Sequence, residues 1–144
     1  MIKTSLQTLA DRVIEAGRIT EADVALLRSD VLPDGVQTRE EADVLVALDR
    51  VAAADGVWAD YLLAEVVGFA VWTSRPTGVV DHDLARWLVT TLSCGLGPTK
   101  NAARIAFEVV REAQRVDEML LTFVLGACRP RGEGAPPVTV NLAA

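Results

Sequence analysis

A short phrase recurs along this chain: a glycine, one or two apolar residues, then a hydroxyl or acidic residue opening an acidic helical turn. It reads Gly17-Arg18-Ile19-Thr20-Glu21-Ala22-Asp23, then Asp34-Gly35-Val36-Gln37-Thr38-Arg39-Glu40-Glu41, then Thr77-Gly78-Val79-Val80-Asp81-His82-Asp83. A looser copy is Ala54-Asp55-Gly56-Val57-Trp58-Ala59-Asp60. Each copy predicts one helix that stops at a left-handed glycine and a second that starts at a capped, acidic N-terminus. A chain punctuated in this way is built from short helices and tight joints.

The apolar spacing between the joints agrees. Leu6, Leu9, Ala10, Val13 and Ile14 share one helical face that ends at Gly17. Thr20 caps a second helix carrying Val24, Leu27 and Val31, which must end before Pro33. Thr38-x-x-Glu41 is a capping box opening a third helix through Leu45, Leu48 and Ala52. The stretch from about Ala59 to Trp72 is apolar almost all round, the mark of a central helix. Asp81 and Thr99 cap the fifth and sixth helices, and a seventh starts near Val116. No sustained alternation of period two precedes the last residues, so the body reads as all-α, a single bundle of six to seven short helices.

The chain divides into a helical domain over residues 1–128 and a Pro/Gly-rich tail over 129–144. The tail's Arg129 to Pro137 has linker composition, and Val138, Val140 and Leu142 alternate like a short strand. Such a tail either stays flexible or docks as an added strand on a partner, with Val138, Val140 and Leu142 as the contacts.

Composition excludes several classes. A formal charge of −6 opposes nucleic-acid binding, which needs a basic footprint. Tyr61 to Ser74, broken by Glu65, falls short of the roughly 20 apolar residues that cross a bilayer. The opening residues run straight into an amphipathic pattern with Asp11 and Glu15, so no signal peptide is expected and a cytoplasmic setting is. Two cysteines, Cys94 and Cys128, make neither a disulfide framework nor a metal-ligand spacing. Hydrophobic residues form 51% of the chain and mean hydropathy is +0.28, an excess that suits contact with a partner protein or a second copy.

Several residues invite a chemical reading. Asp30, Asp34, Gly35 and Glu41 fall on positions one, five, six and twelve of a calcium loop, but Leu32 stands where a ligand oxygen is required. The plainer reading is a helix–loop–helix joint whose acids serve the next helix. His82, the only histidine, lies between Asp81 and Asp83 at a helix start; neighbouring helical residues diverge, so a solvated first turn outweighs a metal site. Cys94 has no histidine near it in the sequence to activate it. Gly95-Leu96-Gly97-Pro98-Thr99-Lys100 has the residues of a phosphate loop without its spacing or its preceding strand. Trp72 and Trp87 sit on apolar faces and are expected in the core, leaving Trp58 as the tryptophan most exposed to a partner.

Ala52-Ala53-Ala54-Asp55-Gly56, set between two apolar helices, resembles the Ala-Asp-Gly phrase of the TerB-like (tellurite-resistance) proteins. Asp34 to Glu41 is similar to the same phrase, and the likeness covers roughly residues 16–92. The resemblance implies a small all-helical bundle, an association with metal-ion stress, and divalent-cation binding by acids that here match Asp55 and Asp60. The chain departs from the pattern one turn beyond Asp55-Gly56, where Asp60 alone is acidic and Leu62 and Leu63 follow.

The sequence thus predicts a non-catalytic, TerB-like binding or adaptor module, self-associating or part of a protein complex. Its partner-facing residues would be Trp58, Val138, Val140 and Leu142. The alternative is a divalent-cation sensor of calcium type using residues 30–41, with Asp30, Asp34, Glu41, Asp55 and Asp60 as candidate ligands. No cofactor beyond such a cation is implied, and no nucleophile–base pair suggests an enzyme.

Overall fold

The computed structural model describes residues 4–54, 56–74, 76–94 and 98–127. Over these residues the fold is all-α, with seven helices. They are α1 (Thr4–Ala16), α2 (Glu21–Leu26), α3 (Arg39–Val51), α4 (Gly56–Gly68), α5 (His82–Leu92), α6 (Lys100–Glu112) and α7 (Glu118–Ala127). Asp55 and the tail residues Val138, Val140 and Leu142 lie outside the described residues.

Helix starts follow the hydroxyl and acidic residues. Thr20, Thr38, Asp81 and Thr99 are N-caps whose side chains accept the backbone N–H three residues on. Thr20 and Asp23 complete a capping box that the sequence reading did not single out. At Thr38 the expected box is altered: the Glu41 carboxylate accepts from Gln37 N–H at 2.8 Å, one residue before the cap. Both α2 and α4 run on into single π-helical turns, Leu27–Val31 and Phe69–Thr73, closed by Leu32 N–H to Leu27 O and Ser74 N–H to Phe69 O.

The joints do more than turn the chain. Residues β1 (Arg18–Ile19) and β2 (Ala53–Ala54) pair in parallel, as do β3 (Val79–Val80) and β4 (Arg115–Val116). Gly17 and Gly78 adopt φ of 74° and 78°, which an L side chain rarely takes. That conformation turns the Gly17 carbonyl to accept from Ala53 N–H at 3.1 Å and the Gly78 carbonyl to accept from Gln114 N–H at 2.7 Å. The fourth joint, Gln114 to Asp117, has no glycine and therefore escaped the sequence reading, which placed it at the start of the last helix.

The apolar helix is central, as its composition predicts. Helix α4 buries Trp58, Tyr61, Leu62, Val66 and Val67 and packs on α2, α3 and α6. The expectation about its tryptophans is corrected. Trp58 is wholly buried, while Trp72 is 49% exposed; Trp58's indole N–H is drawn inward to Asp49 Oδ1 at 3.1 Å. Leu63 is only partly buried, and Leu62 beside it occupies the core.

Asp49 is also the acceptor for the Thr99 hydroxyl at 2.6 Å and the Asn101 amide at 2.7 Å, so one carboxylate ties α3 to both α4 and α6. Removing it leaves the indole N–H of the wholly buried Trp58 without its partner. We expect Asp49→Ala to lower stability by about 2–3 kcal/mol, and Leu62→Ala by about 2–4 kcal/mol, whereas Asp60→Ala changes it by less than about 0.5 kcal/mol. Urea denaturation of the three variants checks this order.

Candidate functional site

The loop between α2 and α3 is held by two carboxylates that arrive from different helices. Glu41 of α3 takes Gln37 N–H, and Glu65 of α4 takes Val36 N–H at 3.0 Å through Oε1. Gly35 has φ of 79°, which an L side chain rarely takes, and a Cβ there would lie 2.6 Å from Glu65 Oε1, so a larger residue would be strained and would displace that carboxylate. A calcium loop turns carbonyl and carboxylate oxygens toward a common centre. Here N–H groups of the loop point at the acids instead.

The candidate ligands are spread out accordingly. Asp30, Asp34 and Asp60 are exposed, Glu41 is buried, and the described residues contain no group of three or more His, Cys, Asp or Glu placed to hold a metal ion. Beneath the loop, the Tyr61 hydroxyl is buried with no hydrogen-bond partner among the described residues. Burial lifts its pKa well above the ordinary phenol value, Glu65 and Glu41 lift it further, and Arg28, 5.5 Å from the ring centroid, opposes them. Tyr61 therefore stays protonated and is not available as a base at neutral pH.

From this loop a groove runs along the outer side of α4. One cleft of about 260 Å³ is lined by Asp34, Gln37, Glu65, Gly68 and Trp72 among others. A second of about 320 Å³ is lined by Leu63, Val67, Glu108 and Glu112, and both share Ala64, Gly68 and Trp72. Trp72 thus stands as a ridge between two hollows floored by the small residues Ala64 and Gly68. Its indole N–H donates to Glu112 Oε1 at 3.0 Å, which fixes the ring against α6. Asp34, Glu65, Glu108 and Glu112 make the rim acidic, relieved by the Arg111–Glu108 pair at 3.1 Å.

The groove had a sequence signature that was not used. Ala64, Gly68 and Trp72 recur every fourth residue, the first two on α4 and the third in the π-helical turn that continues it, and all three line both clefts. In a helix apolar on every other side, small residues in register mark the face that its neighbours do not fill. Trp58, taken as the exposed aromatic, sits instead on a buried face.

A third hollow, of about 340 Å³, lies where α5 and α7 begin, lined by His82, Asp117, Glu118, Met119 and Thr122. His82 Nδ1 is 3.3 Å from Asp117 Oδ2, a contact that bridges the β3 and β4 joints. The Asp117 carboxyl is held below its ordinary value chiefly by Met119 N–H; burial opposes this, and His82 adds a lesser lowering. Thr122 is the one hydroxyl in its lining, and no bond joins it to His82, so the hollow holds an Asp–His contact without a bound nucleophile.

No family model, curated protein or solved structure matches this chain.

Two outcomes follow from this geometry. Acrylamide should quench a fraction of the tryptophan emission that falls sharply in Trp72→Phe, because Trp58 is wholly buried and Trp87 partly so. A depressed carboxylate stabilises the fold above its unfolded-chain pKa and withdraws that support as pH falls through the folded value. Asp117→Asn should therefore flatten the loss of stability below about pH 4, measured by thermal unfolding across the acid range.

Proposed function

We propose that the protein is a non-catalytic binding module that docks a segment of a partner protein along the outer groove of α4. The reading rests chiefly on Trp72, half exposed between two hollows whose floor is made of Ala64 and Gly68. A large aromatic ring left in solvent beside small residues offers both a contact and room for an incoming side chain. The ring is also held in one orientation by Glu112, so little side-chain entropy remains to be lost on binding.

The acidic rim favours a partner segment that combines an apolar side chain with lysine or arginine. A guanidinium or ammonium over Trp72 would add a cation–π contact, and the rim carboxylates would speed encounter. The TerB-like resemblance fits a helical module of this kind, and no helix among the described residues is long and apolar enough to cross a membrane.

Gly68 supplies a clean test. It lies in a helix at ordinary dihedrals, and a Cβ there meets nothing within 4 Å. Gly68→Leu should fill the groove, keep or raise the melting temperature through better helix propensity, and abolish partner capture from the native cell. Trp72→Ala should weaken capture by tenfold or more, about 1.4 kcal/mol, while Asp60→Ala leaves it unchanged. Capture that survives Gly68→Leu would remove the groove from the account. Titration calorimetry addresses the cation-sensor alternative: a calcium Kd below about 10 µM, lost in Glu41→Gln, would displace the binding-module reading.

A further inference from the structure

We infer that Lys100, Arg104, Phe107 and Arg111 of α6 dock an amphipathic helix of a partner protein, one with an acidic first turn and an aromatic ring a turn later. The site is separate from the Trp72 groove and does not depend on what that groove binds.

The chain repeats itself in structure, and the repeat identifies the kind of occupant. A shift of 61 positions carries the N-cap Thr20 onto Asp81, the N-cap Thr38 onto Thr99 and the positive-φ Gly17 onto Gly78. The same shift lays α3 (Arg39–Val51) on α6 (Lys100–Glu112) end for end. Burial follows the shift as well. Val24, Leu27 and Val31 land on Ala85, Leu88 and Leu92, all six in the core. Leu6, Leu9 and Ala10 land on Val67, Ala70 and Val71, which are also buried. The end of α4 and its π-helical turn thus take in a second four-helix unit the part that α1 takes in the first. Helices α1–α4 and α4–α7 are two renderings of one unit that share α4.

In a repeat, each unit covers a face of its neighbour. Here the third helix of the first unit carries α5 of the second. Arg39 pairs with Asp83 at 2.9 Å and lies 5.5 Å from the Trp87 ring centroid. Asp43 accepts from the Trp87 indole at 2.9 Å, Val46 is buried, and Arg50 donates to Thr91 O at 3.2 Å. The shift carries these four residues onto Lys100, Arg104, Phe107 and Arg111. All four are exposed, so among the described residues no helix takes on α6 the place that α5 takes on α3.

Charge states which helix fits. Lys100 keeps the cation that, as Arg39, meets an acid of the first turn of α5. Arg104 replaces the acceptor Asp43 with a group that binds a carboxylate or lies over a ring and accepts nothing. Arg111 is shared with Glu108, whereas Lys100 and Arg104 pair with no described acid. In a chain of formal charge −6 these two free cations are a local exception. Helices favour acids in their first turn, so a partner helix brings the matching charge at its natural place. Phe107, 44% exposed where Val46 is buried, supplies the apolar contact.

The chain's own fifth helix serves as probe, as a peptide of residues 79–93 containing Asp81, Asp83 and Trp87. So short a peptide is only partly helical alone. Titrated into the isotope-labelled 144-residue chain, it should shift the amide resonances between Lys100 and Arg111 with a Kd of about 100 µM or below. Raised salt should weaken it. Lys100→Glu in the protein, or Asp83→Lys in the peptide, should each weaken binding about tenfold. The two changes together should restore it, a result that misfolding cannot mimic. Phe107→Ala should also weaken binding about tenfold with an unchanged circular dichroism spectrum. Absence of any shift on α6 at about 1 mM peptide overturns the inference. So do shifts confined to α3 or to the Trp72 groove, binding indifferent to both charge reversals, or reversed partners that fail to combine.

Discussion

The fold depends on satisfying the backbone groups that a helix leaves open at its ends. Short helices have many such ends for their length, and a buried end without partners is costly. This protein meets the constraint by bringing its joints together two by two. The Gly17 joint lies against the Ala53 joint and the Gly78 joint against that of Gln114, each pair sharing parallel backbone hydrogen bonds. Because the paired joints are distant in sequence, each bridge closes a large loop containing two helices. Helix α4 links the two arrangements, ending the first and beginning the second. Its burial on several sides follows from that position as much as from its composition.

Carboxylates do the second share of this work. Asp49 accepts from Trp58, Thr99 and Asn101, and Asp43 accepts from the Trp87 indole at 2.9 Å. Glu41 and Glu65 hold the loop before α3, and Glu112 orients Trp72. The three tryptophans of the chain each donate to an acid from another helix. A formal charge of −6 read from composition therefore overstates the acidity offered to solvent or to a cation. Several of those charges are internal acceptors, each about twice as strong as a neutral one.

What remains outside is organised along α4, where Ala64 and Gly68 lie beside the half-exposed Trp72 and carboxylates line the rim.

The sequence by itself determined the local structure. Glycines at Gly17, Gly35 and Gly78 with positive φ, and caps at Thr20, Thr38, Asp81 and Thr99, could be read because turn and cap chemistry acts over three or four residues. The all-α class and the central place of α4 were legible for the same reason, since apolar spacing reports a helix's own faces. Tertiary structure decided which joints meet, so the glycine-free joint at Gln114 was invisible until Gly78 was found accepting its N–H. It also decided which tryptophan is exposed. Trp58 and Trp72 sit in similar apolar surroundings along the chain, and only the position of Asp49 on α3 draws one inward while Glu112 on α6 holds the other at the surface. Contacts between residues nine and forty positions apart, such as Trp58 with Asp49 and Trp72 with Glu112, leave no periodic trace in a sequence.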